Sequence, residues 1–86
     1  MRFGNIIIED KVKEKILKKH GVEAEEIKEI LLNNPIVLEA KHRRYIAIGR
    51  NSRHITIIFE ASVSITNIIT AYPSSKAQIR YFKRKK

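Results

Sequence analysis

At 86 residues the chain fits one domain, residues 1–86, and leaves no room for a second. Hydrophobic residues make up 43% of it, enough for a core without a metal or disulfide framework, and the absence of cysteine excludes disulfides, thiolate nucleophiles and cysteine-ligated zinc. Eighteen Lys and Arg against nine Asp and Glu give a net charge of +9, and the three scattered histidines make a poor metal site. The charge is segregated. Residues 1–40 carry seven basic and eight acidic residues, whereas residues 41–86 carry eleven basic residues against the single acid Glu60. Such a distribution attracts polyanions by Coulomb steering and counterion release. A Lys/Glu-rich surface of thermophile type is the plainer reading, but that enrichment raises both signs together.

The opening apolar run is too short for a signal segment, and no stretch approaches the ~20 apolar residues of a membrane helix, so a cytoplasmic protein without membrane contact is expected. A strand is expected at residues 3–8. Asp10 then reads as the N-cap of a helix reaching Lys19, with Val12, Ile16 and Leu17 on its apolar side and Gly21 as its left-handed stop. Lys15, Lys18, Lys19 and His20 suit the negative end of that helix. A second helix starts near Val22, carries Ala24, Ile27, Ile30 and Leu31 at helical spacing, and ends at Asn33-Asn34-Pro35. From Ile36 the period changes to two. Strands are expected at 36–40, 44–49, 54–60 and 64–72, with turns at 50–53 and 61–62, forming an antiparallel meander. Ser75 with Gln78 three residues on predicts a capped, basic C-terminal helix through Lys83.

Strand parity places Ile55, Ile57 and Phe59 with Ile65, Ile69 and Ala71 on an apolar face, covered by the two N-terminal helices. It also puts Arg44 on that face, with Ile46 and Ile48. The other face, with Ala47, Thr56 and Thr70, is either a shallow floor for a ligand or the ordinary wet side of a sheet. The fold class expected is α+β: two N-terminal helices on an antiparallel sheet of four to five strands, with a short basic helix at the C-terminus.

Lys19-His20-Gly21-Val22 followed by Glu25-Glu26, the stop at Asn34-Pro35, the strand Arg44-Tyr45-Ile46-Ala47-Ile48-Gly49 and the ending Ile68-Ile69-Thr70-Ala71-Tyr72-Pro73 together resemble the BrnT-type toxins, a branch of the RelE-like ribonucleases. The order and spacing of these pieces, over about residues 9–82, carry the likeness. The resemblance implies a RelE-like fold, metal-independent RNA cleavage by attack of the ribose 2′-oxygen, no cofactor, mRNA as substrate with or without the ribosome, and an antitoxin partner. A homodimer and a hetero-oligomer with that antitoxin both fit.

Such chemistry needs a base for the 2′-hydroxyl, cations for the phosphorane and an acid for the leaving 5′-oxygen. The candidates are His20, Arg44, Arg53, His54, Tyr72 and Arg80 for catalysis, and Lys19, Lys76, Lys83 and Tyr81 for RNA contact, with no metal ligands. Each has a structural alternative. His20 can serve as a helix C-cap, Arg44 as a rim ion pair with acids of the second helix, Arg53 and His54 as a wet turn pair, and Tyr72 as rim packing. Lys76, Arg80 and Lys83 recur at helical spacing and form a basic stripe with Tyr81 beside it, either a polyanion contact or a solvated helix face. A non-catalytic RNA-binding module and an antitoxin-type protein-binding module are the competing readings of the same residues.

Overall fold

The computed structural model describes residues 3–86. Element order is β1 (Asn5–Ile7), α1 (Asp10–His20), α2 (Ala24–Leu32), β2 (Ile36–Glu39), β3 (Arg44–Arg50), β4 (His54–Ala61), β5 (Ile65–Pro73) and α3 (Lys76–Lys85). No helix among these residues is long and apolar enough to cross a membrane. Gly21 ends α1 at φ 66°, its amide donating to the Leu17 carbonyl at 2.9 Å, as the left-handed stop requires. The N-cap of α1 is Glu9 rather than Asp10, which is the first helical residue. Helix α2 starts two residues later than expected, because Glu23 and Glu26 close a capping box around its first turn. Val22, left outside the helix, is buried in the core.

The five strands form one sheet in the order β1-β5-β4-β3-β2. Strands β2 to β5 are the expected antiparallel meander, but β1 runs parallel to β5, so the sheet is mixed. After β1 the chain passes through two helices before re-entering the sheet, so no hairpin fixes the direction of β1. It joins the free side of the strand made last.

Helices α1 and α2 cover one face. Ile16, Val22, Ile27, Ile30 and Leu31 pack there with Ala47, Ile55, Ile57, Phe59, Ile68 and Ala71. Phe59 lies between Phe3, edge-on at 5.5 Å, and Tyr45, stacked at 5.5 Å. The parity of two strands departs from expectation. In β5, Ile58 pairs with Thr70 but Phe59 pairs with Ile68, leaving Ile69 as an extra residue that reverses the phase. Thr66, Ile68 and Ala71 therefore face the helices, and Ile65 is 40% exposed. In β3 the residues opposite Phe59, Ile57 and Ile55 are Tyr45, Ala47 and Gly49. Arg44, Ile46 and Ile48 thus point to the other face, and Ala47 does not belong to an open floor.

That other face is half covered by α3. Thr56, fully buried, donates to Gln78 Oε1 at 2.9 Å and shares a 2.7 Å hydrogen bond with the Ser74 hydroxyl. Ser75 caps the helix, its hydroxyl accepting from the Gln78 amide at 3.2 Å. His54 packs edge-on against Phe82 at 5.3 Å, with Nε2 buried and unpaired. Burial pushes its imidazole below the ordinary 6.5, and the nearby Arg50 and Lys83 push in the same direction.

Two consequences are measurable. A methyl group at Gly49 would collide with Ile30 Cγ2 of α2, so Gly49→Ala is expected to lower unfolding free energy by about 1–3 kcal/mol in denaturant titrations. Because the folded state disfavours protonated His54, the stability its neutral form contributes is complete above about pH 6.5 and is lost as pH falls below that value. The thermal midpoint should therefore decline from pH 7 to pH 5, and His54→Gln should flatten that decline.

Candidate nucleic-acid interface

The C-terminal turn of α1 and the first turn of α3 meet at Tyr72. The half-buried His20 ring lies 6.0 Å from the Tyr72 ring. The Tyr72 oxygen accepts a hydrogen bond from Gln78 Nε2 at 3.1 Å. Gln78 Oε1 is occupied by the Ser75 amide and by Thr56. With one lone pair of the phenol taken, its proton remains free to point outward as a donor. Tyr72 thus joins two basic segments. Lys18, Lys19 and His20 close α1, and Lys76, Arg80, Lys83, Arg84, Lys85 and Lys86 run along α3 and just beyond it. No acid follows Glu60 in the chain, so no acid on α3 offsets its five cations or Lys86 beyond them.

The other candidates separate. Arg80 is exposed and lines a shallow groove on the outer side of α3 with Ala77 and Arg84. Lys83 lies near enough to His54 to depress its protonation. The half-buried Tyr81 holds the Arg84 guanidinium and the Lys85 ammonium each 5.7 Å from its ring centre. Arg44 sits at the far end of β3 from Arg50 and His54, six residues or about 20 Å away. Its ion pair is with Glu60 across the strands, 3.6 Å and half exposed, rather than with acids of α2. Arg44 therefore does not share a centre with His20, His54 and Tyr72.

Arg53 faces the opposite layer. Its Nε donates to Glu26 Oε2 at 3.0 Å, and Nη2 donates to Glu26 Oε1 at 2.9 Å and to the Gly21 carbonyl at 2.7 Å. The hydrogen bond from Arg53 holds the Glu26 carboxyl below its ordinary range, and the same bond raises the guanidinium further. Asn51 of the same turn donates to the Glu29 carboxylate.

Among the described residues no group of three or more His, Asp or Glu is placed to hold a metal ion. A concavity between α1 and α2, lined by Lys13, Leu17, Glu23, Ala24 and Glu25, sets one ammonium against two carboxylates and is the less basic of the two helix surfaces. Sequence reasoning passed over Gln78 as anything but a cap. The Ser75-x-x-Gln78 pattern was visible, yet nothing in it tells that the same amide would reach Thr56 and Tyr72.

No protein-family model and no curated protein matches the sequence. Among solved structures the chain is similar to the crystal structure of the ribonuclease toxin BrnT of Brucella abortus, with 23% identity and a TM-score of 0.72, over 85% of this chain and 99% of that one. The mixed sheet with two helices on one face and a third on the other is therefore the fold seen in the Brucella BrnT structure.

Proposed function

We propose that this chain is a toxin-type endoribonuclease that cleaves RNA without a metal ion, kept inactive in the cytoplasm by an antitoxin. The observation that carries the reading is the acid-free cationic surface of α3, joined through Tyr72 to His20, on the fold of a ribonuclease toxin.

RNA lies along α3, with Lys76, Arg80 and Lys83 on its phosphates and Tyr81 beside the bases. The scissile phosphate sits at Tyr72. His20 takes the proton of the 2′-hydroxyl, the 2′-oxygen bonds to phosphorus, and the bond from phosphorus to the 5′-oxygen breaks. The phenol of Tyr72 donates a hydrogen bond to the phosphorane, and the proton taken up by His20 returns through water to the departing 5′-oxygen, leaving a 2′,3′-cyclic phosphate and a 5′-hydroxyl. His54, neutral and closed under α3, seats the helix instead of moving protons. Arg44 contacts phosphate at a distance from the cut, and an antitoxin would meet the basic surface with acidic residues.

Purified protein in EDTA should convert a long RNA to fragments with cyclic phosphate ends. His20→Ala and Tyr72→Phe should each slow this by about one hundred- to ten-thousandfold. Replacing Lys76, Arg80 and Lys83 together by Gln should reduce the logarithmic salt slope of RNA binding by about 2. Salt-sensitive binding with RNA left intact would make the chain a binding module, and absence of any RNA affinity would sink both readings.

A further inference from the structure

The β3–β4 turn places one guanidinium where three segments meet. Arg53 forks onto Glu26 at the start of α2 and donates to the Gly21 carbonyl at the end of α1. Glu26 Oε1 accepts in addition from the Glu23 amide at 3.1 Å, closing the capping box of α2. The residue directly before Gly21 is His20.

Gly21 is the joint between α1 and the buried Val22, with its amide bonded to the Leu17 carbonyl at 2.9 Å. Its φ of 66° is one that glycine adopts without strain, and no atom lies within 4 Å of where a Cβ would stand, so no side chain packs against this side of the joint. No hydrogen bond among the described residues holds the His20 ring, whose neighbour is the Tyr72 ring at 6.0 Å. Beside it Lys18 and Lys19 crowd the same turn with like charge. The Gly21 amide closes α1 on the Leu17 carbonyl, and the bond from Arg53 to the Gly21 carbonyl is the side-chain contact that ties this end of the helix to the β3–β4 turn.

We propose that Arg53 is a positioning residue: it does not touch RNA, and it holds the Gly21 joint so that His20 stays against Tyr72. The inference rests on the ribonuclease reading for its effect on rate, though not for the geometry. Lysine cannot replace it. Three donors from one planar group meet two carboxylate oxygens and a carbonyl at once, whereas an ammonium presents a single point. Displacement of a proton-transfer group by about 1 Å costs up to a hundredfold in rate.

The test pairs kinetics with a structural signal in the full-length chain. Arg53→Lys keeps the charge, so kcat should fall about ten- to a hundredfold with KM near its original value. Combined with His20→Ala, it should be no slower than His20→Ala alone. By NMR, contact between the His20 and Tyr72 rings should be seen in the original protein and lost in Arg53→Lys, and also in Arg53→Met, which keeps an apolar stem without any donor to the Gly21 carbonyl and serves if the lysine variant folds poorly. An unchanged ring contact in both variants, or losses that multiply with His20→Ala, would overturn the proposal. If the original protein cleaves no RNA, the ribonuclease reading fails, and the NMR contact alone still decides the role of Arg53.

Discussion

The side-chain amide of Gln78 is used at both ends. Its oxygen accepts from the buried Thr56 hydroxyl and from the Ser75 amide, and its nitrogen donates to Tyr72. Helix α3 has no fully buried residue, so apolar burial alone holds it weakly on the sheet. What seats it is a small, satisfied polar network under a low-dielectric cover, where each bond is stronger than in water and each broken bond leaves an unpaired group. The position of the basic stripe, the hydrogen bond that occupies one lone pair of the Tyr72 phenol and the covering of His54 all follow from this one docking.

The two layers are coupled by neighbouring residues of one strand start. Successive residues of a strand point to opposite faces. Arg53 reaches the α1–α2 junction, and His54 packs under Phe82 of α3. The β3–β4 turn is therefore fastened on both sides, by an ion pair with a third bond to backbone and by an aromatic edge contact. The Arg53–Glu26 pair is partly exposed and adds at most about 1 kcal/mol to stability. Its consequence is geometric, because it sets where the end of α1 lies relative to the end of β5.

Much of the fold could be read locally. Gly21, the Ser75-x-x-Gln78 box and the change of period at Ile36 each act through residues within four positions of one another, and each element they delimit exists. The failures are of longer range. The bulge at Ile69 contains neither Gly nor Pro to mark it in the sequence, so simple alternation assigned Ile65 and Ile69 to the wrong face. The parallel pairing of β1 depends on a strand some sixty residues away. The candidate residues suffered similarly: basic character and motif order named His20 and Tyr72 separately, but their contact spans 52 positions. Arg53 looked available for chemistry because Glu26, its partner, lies 27 residues earlier.

The arrangement of charge explains how so basic a half can fold and why it remains receptive. Lys83, Arg84 and Lys85 occupy the last turn of α3, where the helix dipole favours cations. Arg84 and Lys85 lie over the Tyr81 ring, and the Lys86 ammonium donates to the Asn34 carbonyl at the α2–β2 connection. These contacts make local use of single cations without neutralising any of them. With six cations on and just beyond one helix and no acid after Glu60, mutual repulsion is retained in the folded chain. A bound polyanion, whether a phosphate backbone or an acidic protein segment, relieves that repulsion in the native state, where the cations are held on one surface, more than in the unfolded chain, where they are dispersed. Binding of such a polyanion would thereby be linked to folding, since it would favour the state in which α3 is seated on the sheet.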